Sequence, residues 1–163
     1  METIVPRIAT IALVGALTAL LLGVLTSRSS GSTAREREVE RRLVGTWRLV
    51  SATAQDAEGK STSRPFGGDP VGKLTYTRTG HVWALTARRD APRNVLPATW
   101  YTGTFRVEPS EHRVVHRVQY ATIPSWEGTD LPRWYAFRAD RLVLATAPRG
   151  QARLVLRWRK ARL

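Results

Sequence analysis

The chain has 163 residues, no cysteine and a formal net charge of +13, from 26 basic and 13 acidic residues. Without cysteine the protein cannot form a disulfide framework, a thiolate metal site or a lipid attachment at an N-terminal cysteine. The basic residues are dispersed along the chain, which favours charged strand exteriors over a partner of opposite charge such as anionic lipid or nucleic acid.

A long apolar run stands near the N-terminus. Ile8–Leu25 contains no charged residue, and Arg7 directly precedes it. As a helix the run would extend about 27 Å, close to the thickness of the hydrocarbon core of a bilayer. We therefore predict that residues 1–27 form a hydrophobic helix, which acts as a transmembrane signal anchor in preference to a cleaved signal or a buried helix.

The charges beside this run bear on its orientation. A short tail with one arginine is typical of proteins whose following domain is exported, whereas the arginines between Arg28 and Arg42 favour the cytoplasm for that domain. We predict a single-pass membrane protein whose main domain lies outside the cytoplasm, or a secreted protein if the segment is cleaved.

Residues 28–42 connect the run to the main domain. Thr26–Thr33 is rich in serine and threonine and is typical of a flexible linker. Ala34–Leu43 places glutamates and arginines at helical spacing, with Val39 and Leu43 four residues apart. This pattern predicts a linker and a short charged helix that leads into the first strand.

Residues 43–163 are predicted to form one all-β domain. In the first strand, within Leu43–Asp56, alternation places Trp47, Leu49, Ser51 and Thr53 on one face. Seven further strands are predicted at Gly72–Arg78, His81–Ala87, Tyr101–Val107, His112–Ala121, Arg133–Arg138, Arg141–Ala147 and Arg153–Lys160. Short strands in series without crossover helices predict an eight-stranded antiparallel up-and-down β-barrel, or a sandwich. A barrel of this size holds packed side chains or one small ligand.

The sequence offers few groups for catalysis or metal binding. His112 and His116 share a strand face but would lie roughly 13 Å apart, too far to bind one metal ion. We predict neither a metal nor a cofactor. His116, between two valines on a face expected to point inward, is a candidate acid or base. The favoured interpretation is a core histidine satisfied by a tyrosine or a backbone carbonyl.

Aromatic residues are abundant for a chain of this length. A candidate ligand pocket with flat apolar walls and a few polar atoms consists of Trp47, Tyr76, Tyr101, His116, Tyr120 and Trp134. The alternative is that these side chains fill the barrel. In the loop Thr122–Pro132, Trp126 is expected to cap one end of the barrel. Glu127 and Arg133 are expected to pair with each other or with a ligand.

The first strand begins with a Gly-x-Trp motif, Gly45 to Trp47, which resembles the opening motif of the lipocalins. In that family the tryptophan closes one end of an eight-stranded barrel, and an arginine of the last strand stacks over it. The resemblance implies this role for Arg157 or Arg159.

A longer ordered set of motifs resembles the bacterial and fungal lipocalin-like domain family. The set comprises Leu43–Ser51, Pro65–Gly67, Asp69–Gly72, Tyr76, Gly80-His81, Tyr101–Phe105, Val115–Val118, Pro124–Thr129 and Arg141-Leu142. The resemblance extends from about Leu43 to Lys160 and implies a lipocalin-type barrel, but it does not imply one function.

These observations predict a membrane-anchored lipocalin-like protein that binds a small apolar or amphipathic molecule in its barrel. One alternative is a barrel enzyme of isomerase or cyclase type, in which His116 and a tyrosine act as acid and base. The other is a packed structural or interaction module without a ligand. A nucleic-acid partner is not expected, and the oligomeric state is left open.

Overall fold

The computed structural model describes residues 33–91 and 98–161. The hydrophobic helix predicted at residues 1–27 and the beginning of the predicted linker lie outside these ranges. A helix, α1, covers residues 33–43 and ends one residue before the first strand region. Among the described residues, no helix is both long enough and apolar enough to cross a membrane.

In the described residues, nine β-strands follow α1. They are β1 (Gly45–Gln55), β2 (Ser61–Ser63), β3 (Pro70–Tyr76), β4 (His81–Arg88), β5 (Ala98–Glu108), β6 (Arg113–Ala121), β7 (Asp130–Arg138), β8 (Arg141–Ala145) and β9 (Arg153–Lys160). Two single-turn 3₁₀ segments, Pro109–Glu111 and Pro124–Trp126, lie in the connections before β6 and β7.

Eight of these strands close into an antiparallel barrel. β1 and β3 to β9 pair in chain order, and β1 also pairs with β9, which closes the sheet. The predicted eight-stranded antiparallel barrel is confirmed. The short β2, which the prediction did not include, pairs only with the end of β1, at Ala54 and Gln55.

The predicted orientation of the second half of β1 is wrong, because the strand contains a β-bulge. Leu49 pairs with Trp158 and Ser51 pairs with the next residue back, Arg157, so Val50 has no partner in β9. An extra residue in one strand reverses the alternation beyond it. Trp47 and Leu49 are therefore buried as predicted, but Ala52 rather than Ser51 is the next buried residue.

The end of the barrel near α1, which we call the closed end, is filled by Trp47. Its indole Nε1 donates a hydrogen bond of 2.8 Å to the carbonyl oxygen of Leu43, the last residue of α1. Leu43 is fully buried, and Val39 packs against the same core. The last turn of α1 therefore covers this end of the barrel.

The cation beside Trp47 is a lysine. Lys160 Nζ lies 4.6 Å from the centre of the Trp47 ring and donates hydrogen bonds to the carbonyl oxygen of Val44, at 2.8 Å, and of Arg42, at 3.1 Å. The expectation that Arg157 or Arg159 occupies this position is wrong. Lys160 pairs directly with Trp47 and shares a face of β9 with the buried Trp158, whereas the two arginines alternate onto the other face.

Candidate ligand-binding site

A cavity of about 320 Å³ lies inside the barrel. Its polar or charged lining residues are Thr86, Thr99, Tyr101, Arg133 and Thr146; its apolar lining residues are Phe66, Leu74, Ala84, Leu85, Ile123, Trp126, Leu144, Leu154, Leu156 and Trp158. The volume falls at the small end of the range of roughly 300–1,000 Å³ typical of small-molecule pockets.

The cavity occupies the end of the barrel opposite Trp47, which we call the mouth. Thr86 is near the end of β4 and Thr99 near the start of β5, whereas Trp47 lies near the start of β1. Successive barrel strands run in opposite directions, so β1 and β4 run from the closed end to the opposite rim, and β5 starts at that opposite rim. These positions place the cavity away from α1.

Small side chains explain why the barrel is not filled at this level. Neighbouring strands place Leu74, Ala84, Tyr101 and Ala121 opposite one another in sequence around the wall. Directly paired residues project to the same face of a sheet, so Ala84, which lines the cavity, leaves space that a larger residue would occupy. The cavity is therefore a consequence of which residues face inward at this level.

Below the cavity, a buried histidine joins two tyrosines. Tyr76 Oη lies 2.8 Å from Nε2 of His116, and Tyr101 Oη lies 2.7 Å from Nδ1. His116 is 0% exposed and Tyr76 is 1% exposed, whereas Tyr101 also lines the cavity. The three side chains form a polar chain that begins in the core and reaches the cavity wall.

Burial determines the protonation states of these three side chains. Desolvation, together with the positive charge of Arg133, holds the pKa of His116 well below 6.5. Desolvation also raises the pKa of Tyr76 and of Tyr101, and the Arg133 charge opposes this rise. At neutral pH all three side chains are therefore uncharged.

Hydrogen-bond satisfaction assigns the protons. A neutral imidazole has one N–H donor and one acceptor nitrogen. Tyr76 is enclosed, and its hydroxyl has His116 as its hydrogen-bond partner among the described residues, so its O–H is satisfied by donating to Nε2. The Nδ1–H then donates to the oxygen of Tyr101, whose own O–H is left to donate to a group in the cavity.

Arg133 contributes a positive charge to the cavity wall. It lies on β7, where Leu131 and Tyr135, two residues away on either side, pack against the core. Its Nη1 donates to the carbonyl oxygen of Pro132 at 2.9 Å. In residues 33–91 and 98–161, no carboxylate forms an ion pair with Arg133.

Two aromatic residues from connecting segments cover the mouth. Phe66 and Trp126 both line the cavity, and the Trp126 ring packs edge-on against Tyr101 with 6.0 Å between ring centres. Thr129 Oγ1 donates to the carbonyl oxygen of Trp126 at 2.6 Å, which holds this segment in place. Trp126 thus lies at one end of the barrel, where the sequence predicts a cap, and it also forms part of the cavity wall.

The model of a protein family described as the lipocalin-like domain matches residues 44–100 and 83–161. The two matches together cover well over half of the chain. The chain belongs to the lipocalin-like domain family. A search of curated proteins found none that matches the chain.

Four of the six residues predicted for the pocket of this lipocalin-like barrel lie in its interior. Tyr76, Tyr101 and His116 are brought together in the polar chain, and of these Tyr101 lines the cavity. Trp47 is buried at the closed end, away from the mouth. That these residues bind a ligand stays a prediction.

Tyr120 lies on the outside of the barrel, 66% exposed. The cause is a bulge in β6: Gly103 pairs with Val118 and Thr102 pairs with Tyr120, so the intervening Gln119 has no partner in β5. The extra residue reverses the alternation, and Tyr120 turns outward while Ala121 takes the inward position beside Tyr101.

Trp134 also lies away from the cavity. It contacts Arg113, whose guanidinium carbon lies 5.9 Å from the ring centre, and with His112 and Tyr135 it lines a separate surface depression. On β7 it is out of phase with Arg133, which lines the cavity. Glu127 does not pair with Arg133 but accepts a hydrogen bond from the backbone of Ala121 at 3.1 Å.

The sequence indicated Arg133 as a loop residue that pairs with Glu127 or with a ligand, but it did not place Arg133 among the pocket residues. The signal was present, since Arg133 alternates in phase with Tyr135 and Phe137, two aromatic residues that are expected to be partly buried. Across the described parts of the chain, no group of three or more histidine or acidic side chains is placed to hold a metal ion.

Proposed function

We propose that this lipocalin-like barrel binds one small apolar or amphipathic molecule at its mouth. The supporting observation is the cavity of about 320 Å³ between apolar walls, with a few polar groups at defined positions. This combination of apolar area and sparse polar atoms is typical of small-molecule sites.

The cavity argues against a fully packed module. Protein interiors normally reach the packing density of organic crystals, and voids larger than a water molecule are rare. An empty cavity also forgoes dispersion contacts of the side chains around it. A barrel whose role is only structural has no reason to keep an alanine at position 84, on the cavity wall.

The geometry does not favour the enzyme alternative in which His116 exchanges protons with a substrate. Both ring nitrogens are occupied by tyrosine hydroxyls, and the side chain is 0% exposed. A general base must come within hydrogen-bonding distance of the proton that it removes. Tyr101 is the one member of the polar chain on the cavity wall, so His116 can act only through it.

Binding at the mouth can be tested with N-phenylnaphthylamine, a neutral apolar dye that fluoresces when bound. The full chain is expected to bind the dye saturably. Ala84→Phe places a ring in the cavity and is expected to abolish binding, because a filled cavity excludes the dye. The measurement is a fluorescence titration, with circular dichroism to verify the fold of each variant.

Ala57→Phe is the matched control, because Ala57 lies in an exposed turn after β1. It makes the same chemical change at a position remote from the cavity, and its binding curve is expected to follow that of the unmodified protein. A protein that does not bind the dye, or an Ala84→Phe variant that binds it as well as the Ala57→Phe control, would contradict the proposal.

We further propose that residues 1–27 anchor the barrel in a membrane, with the barrel outside the cytoplasm. The support is the uncharged run Ile8–Leu25 and the single preceding Arg7. Such an anchor would hold a ligand-binding barrel close to the bilayer, a source of apolar and amphipathic molecules.

A further inference from the structure

The charge of Arg133 has no counter-ion in the part of the chain that the structure describes. The ion pairs there join other arginines to acidic residues on the barrel exterior, among them Asp69, Asp90, Glu108 and Asp130. None of the residues that line the cavity is acidic. A guanidinium beside apolar walls loses part of its hydration without an opposite charge to compensate for it.

Tyr101 and Trp158, two further lining residues, carry hydrogen-bond donors, and the three threonines of the lining can donate as well as accept. The assigned protonation of His116 leaves the Tyr101 O–H to donate into the cavity. Trp158, which lines the cavity and is 2% exposed, has an indole Nε1–H without a hydrogen-bond partner among the described residues. A buried N–H without an acceptor costs about 1–3 kcal/mol.

These groups favour a ligand that brings acceptors and negative charge. A guanidinium matches the planar geometry of a carboxylate and can donate two parallel hydrogen bonds to it. A tyrosine hydroxyl adds a further donor to the same group. A cationic ligand would meet the like charge of Arg133 at this wall, and a neutral apolar ligand would leave that charge without a partner.

We propose that the ligand is an apolar carboxylate, whose carboxylate accepts hydrogen bonds from Arg133 and Tyr101 while its apolar body fills the space between Leu74, Leu144 and Trp126. This inference rests on the proposed function, since it specifies the chemistry of the molecule bound at the mouth. It adds that the ligand is selected by charge and not by hydrophobicity alone.

The test compares two probes that differ only in the head group, decanoate and decanol. Each displaces bound N-phenylnaphthylamine from the full chain at neutral pH, below its micelle concentration. Decanoate is expected to displace the dye at a concentration at least about tenfold lower than decanol, because a hydrogen bond to a charged group is worth more than one to a neutral group. Arg133→Gln is expected to bring the two probes within about threefold of each other, each displacement being referred to the variant's own affinity for the dye.

Arg133→Lys and Arg117→Gln separate specific recognition from general charge. Arg133→Lys keeps the charge without the planar donor pair and is expected to retain part of the preference for decanoate. Arg117, which pairs with Asp130 on the exterior, is the control for loss of one positive charge, and its substitution should leave the preference unchanged. Tyr101→Phe should reduce the preference without removing it.

The outcomes distinguish the inference from the proposed function. If the dye and both probes fail to bind the unmodified protein, the proposed function fails and the inference fails with it. If the dye binds but decanol competes as well as decanoate, the barrel binds ligands and only the carboxylate inference is wrong. A preference for decanoate that survives Arg133→Gln would also overturn it, whether or not the preference falls in Arg117→Gln.

Discussion

At the scale of single residues, His116 is kept neutral by burial and by the nearby charge of Arg133, and it hydrogen-bonds to two tyrosines. The same surroundings make it a link between protonation and folding. The unfolded chain takes up a proton on this imidazole near pH 6.5, whereas the folded protein resists the proton until the pH is well below that value.

The free energy of unfolding therefore depends on pH. Below about pH 6.5 the unfolded state binds more protons at this site than the folded state, so the free energy of unfolding falls as the pH falls. The slope from one such site approaches about 1.4 kcal/mol per pH unit. We expect urea unfolding of the protein between pH 7 and pH 5 to show this contribution, with carboxylates adding to it at the acidic end.

His116→Gln provides the comparison, since glutamine does not titrate but can hydrogen-bond to a tyrosine. The variant is expected to be less stable at pH 7 and to lose the part of the slope that starts near pH 6.5. If the two proteins show parallel stability profiles in this range, His116 is not a buried neutral histidine in solution.

Single residues also show a limit of the resemblance to lipocalins. It implied an arginine beside Trp47, and the sequence has arginines at 157 and 159. Alternation along β9 puts both on the face opposite Trp158, and the inward position nearest Trp47 belongs to Lys160. The pattern of the strand was a better guide here than the residue type expected from the family.

At the scale of the strands, the β6 bulge depends on the absence of a side chain in its partner strand. A Cβ atom at Gly103 would lie 1.9 Å from the carbonyl oxygen of Arg117 and 3.1 Å from the amide nitrogen of Gln119. These are backbone atoms, so they cannot move aside without a shift of the strand. Only glycine permits β5 and β6 to approach each other so closely at this position.

Gly103→Ala is therefore expected to lower the free energy of unfolding by about 3 kcal/mol or more, because the methyl group overlaps backbone atoms. Gly68→Ala is the matched control: a Cβ there would meet its nearest neighbour, Arg64 Nη1, at 3.9 Å, an ordinary contact. Thermal and urea unfolding would measure both. Equal stability of the two variants would show that the strands can separate at the bulge at little cost.

The bulges also explain which parts of the site the sequence could predict. Alternation correctly placed Tyr76, Tyr101 and His116 inside, because no bulge separates them from the strand segments used to assign their faces. It placed Tyr120 inside as well, and one unpaired residue, Gln119, reversed that orientation. A bulge adds a residue without changing the local composition, so strand periodicity does not reveal it.

At the scale of the whole molecule, the strands and turns predicted from the sequence did not distinguish a barrel from a sandwich. The pairing of β1 with β9 over the stretch from Trp47 to Gln55 decides for the barrel. That contact joins the two ends of the described domain and is a property of register, which no local segment specifies. The cavity also arises at this scale, from side chains that different strands bring to one level.

The proposed membrane attachment concerns the whole chain, and two different forces would each produce it. The apolar run Ile8–Leu25 would insert into the bilayer, whereas the net charge of +13 would attract the protein to anionic lipid without insertion. High salt distinguishes insertion from electrostatic attraction. Charges at the surface are screened beyond about 3 Å at molar ionic strength, whereas a hydrophobic span is not released by salt.

We expect the full chain to remain in the membrane fraction of expressing cells through washes with molar salt and alkaline carbonate. The double variant Leu13→Arg and Leu17→Arg is expected to move to the soluble fraction, since a charge within a span is costly by about 2.5–3.5 kcal/mol per arginine. This variant raises the net positive charge, so its release cannot come from weaker attraction to anionic lipid. If salt alone releases the unmodified protein, attachment is electrostatic and residues 1–27 do not anchor it. If the unmodified protein withstands both washes and the double variant does not, protease is then added to intact cells or spheroplasts. Digestion of the barrel would show that it lies outside the cytoplasm.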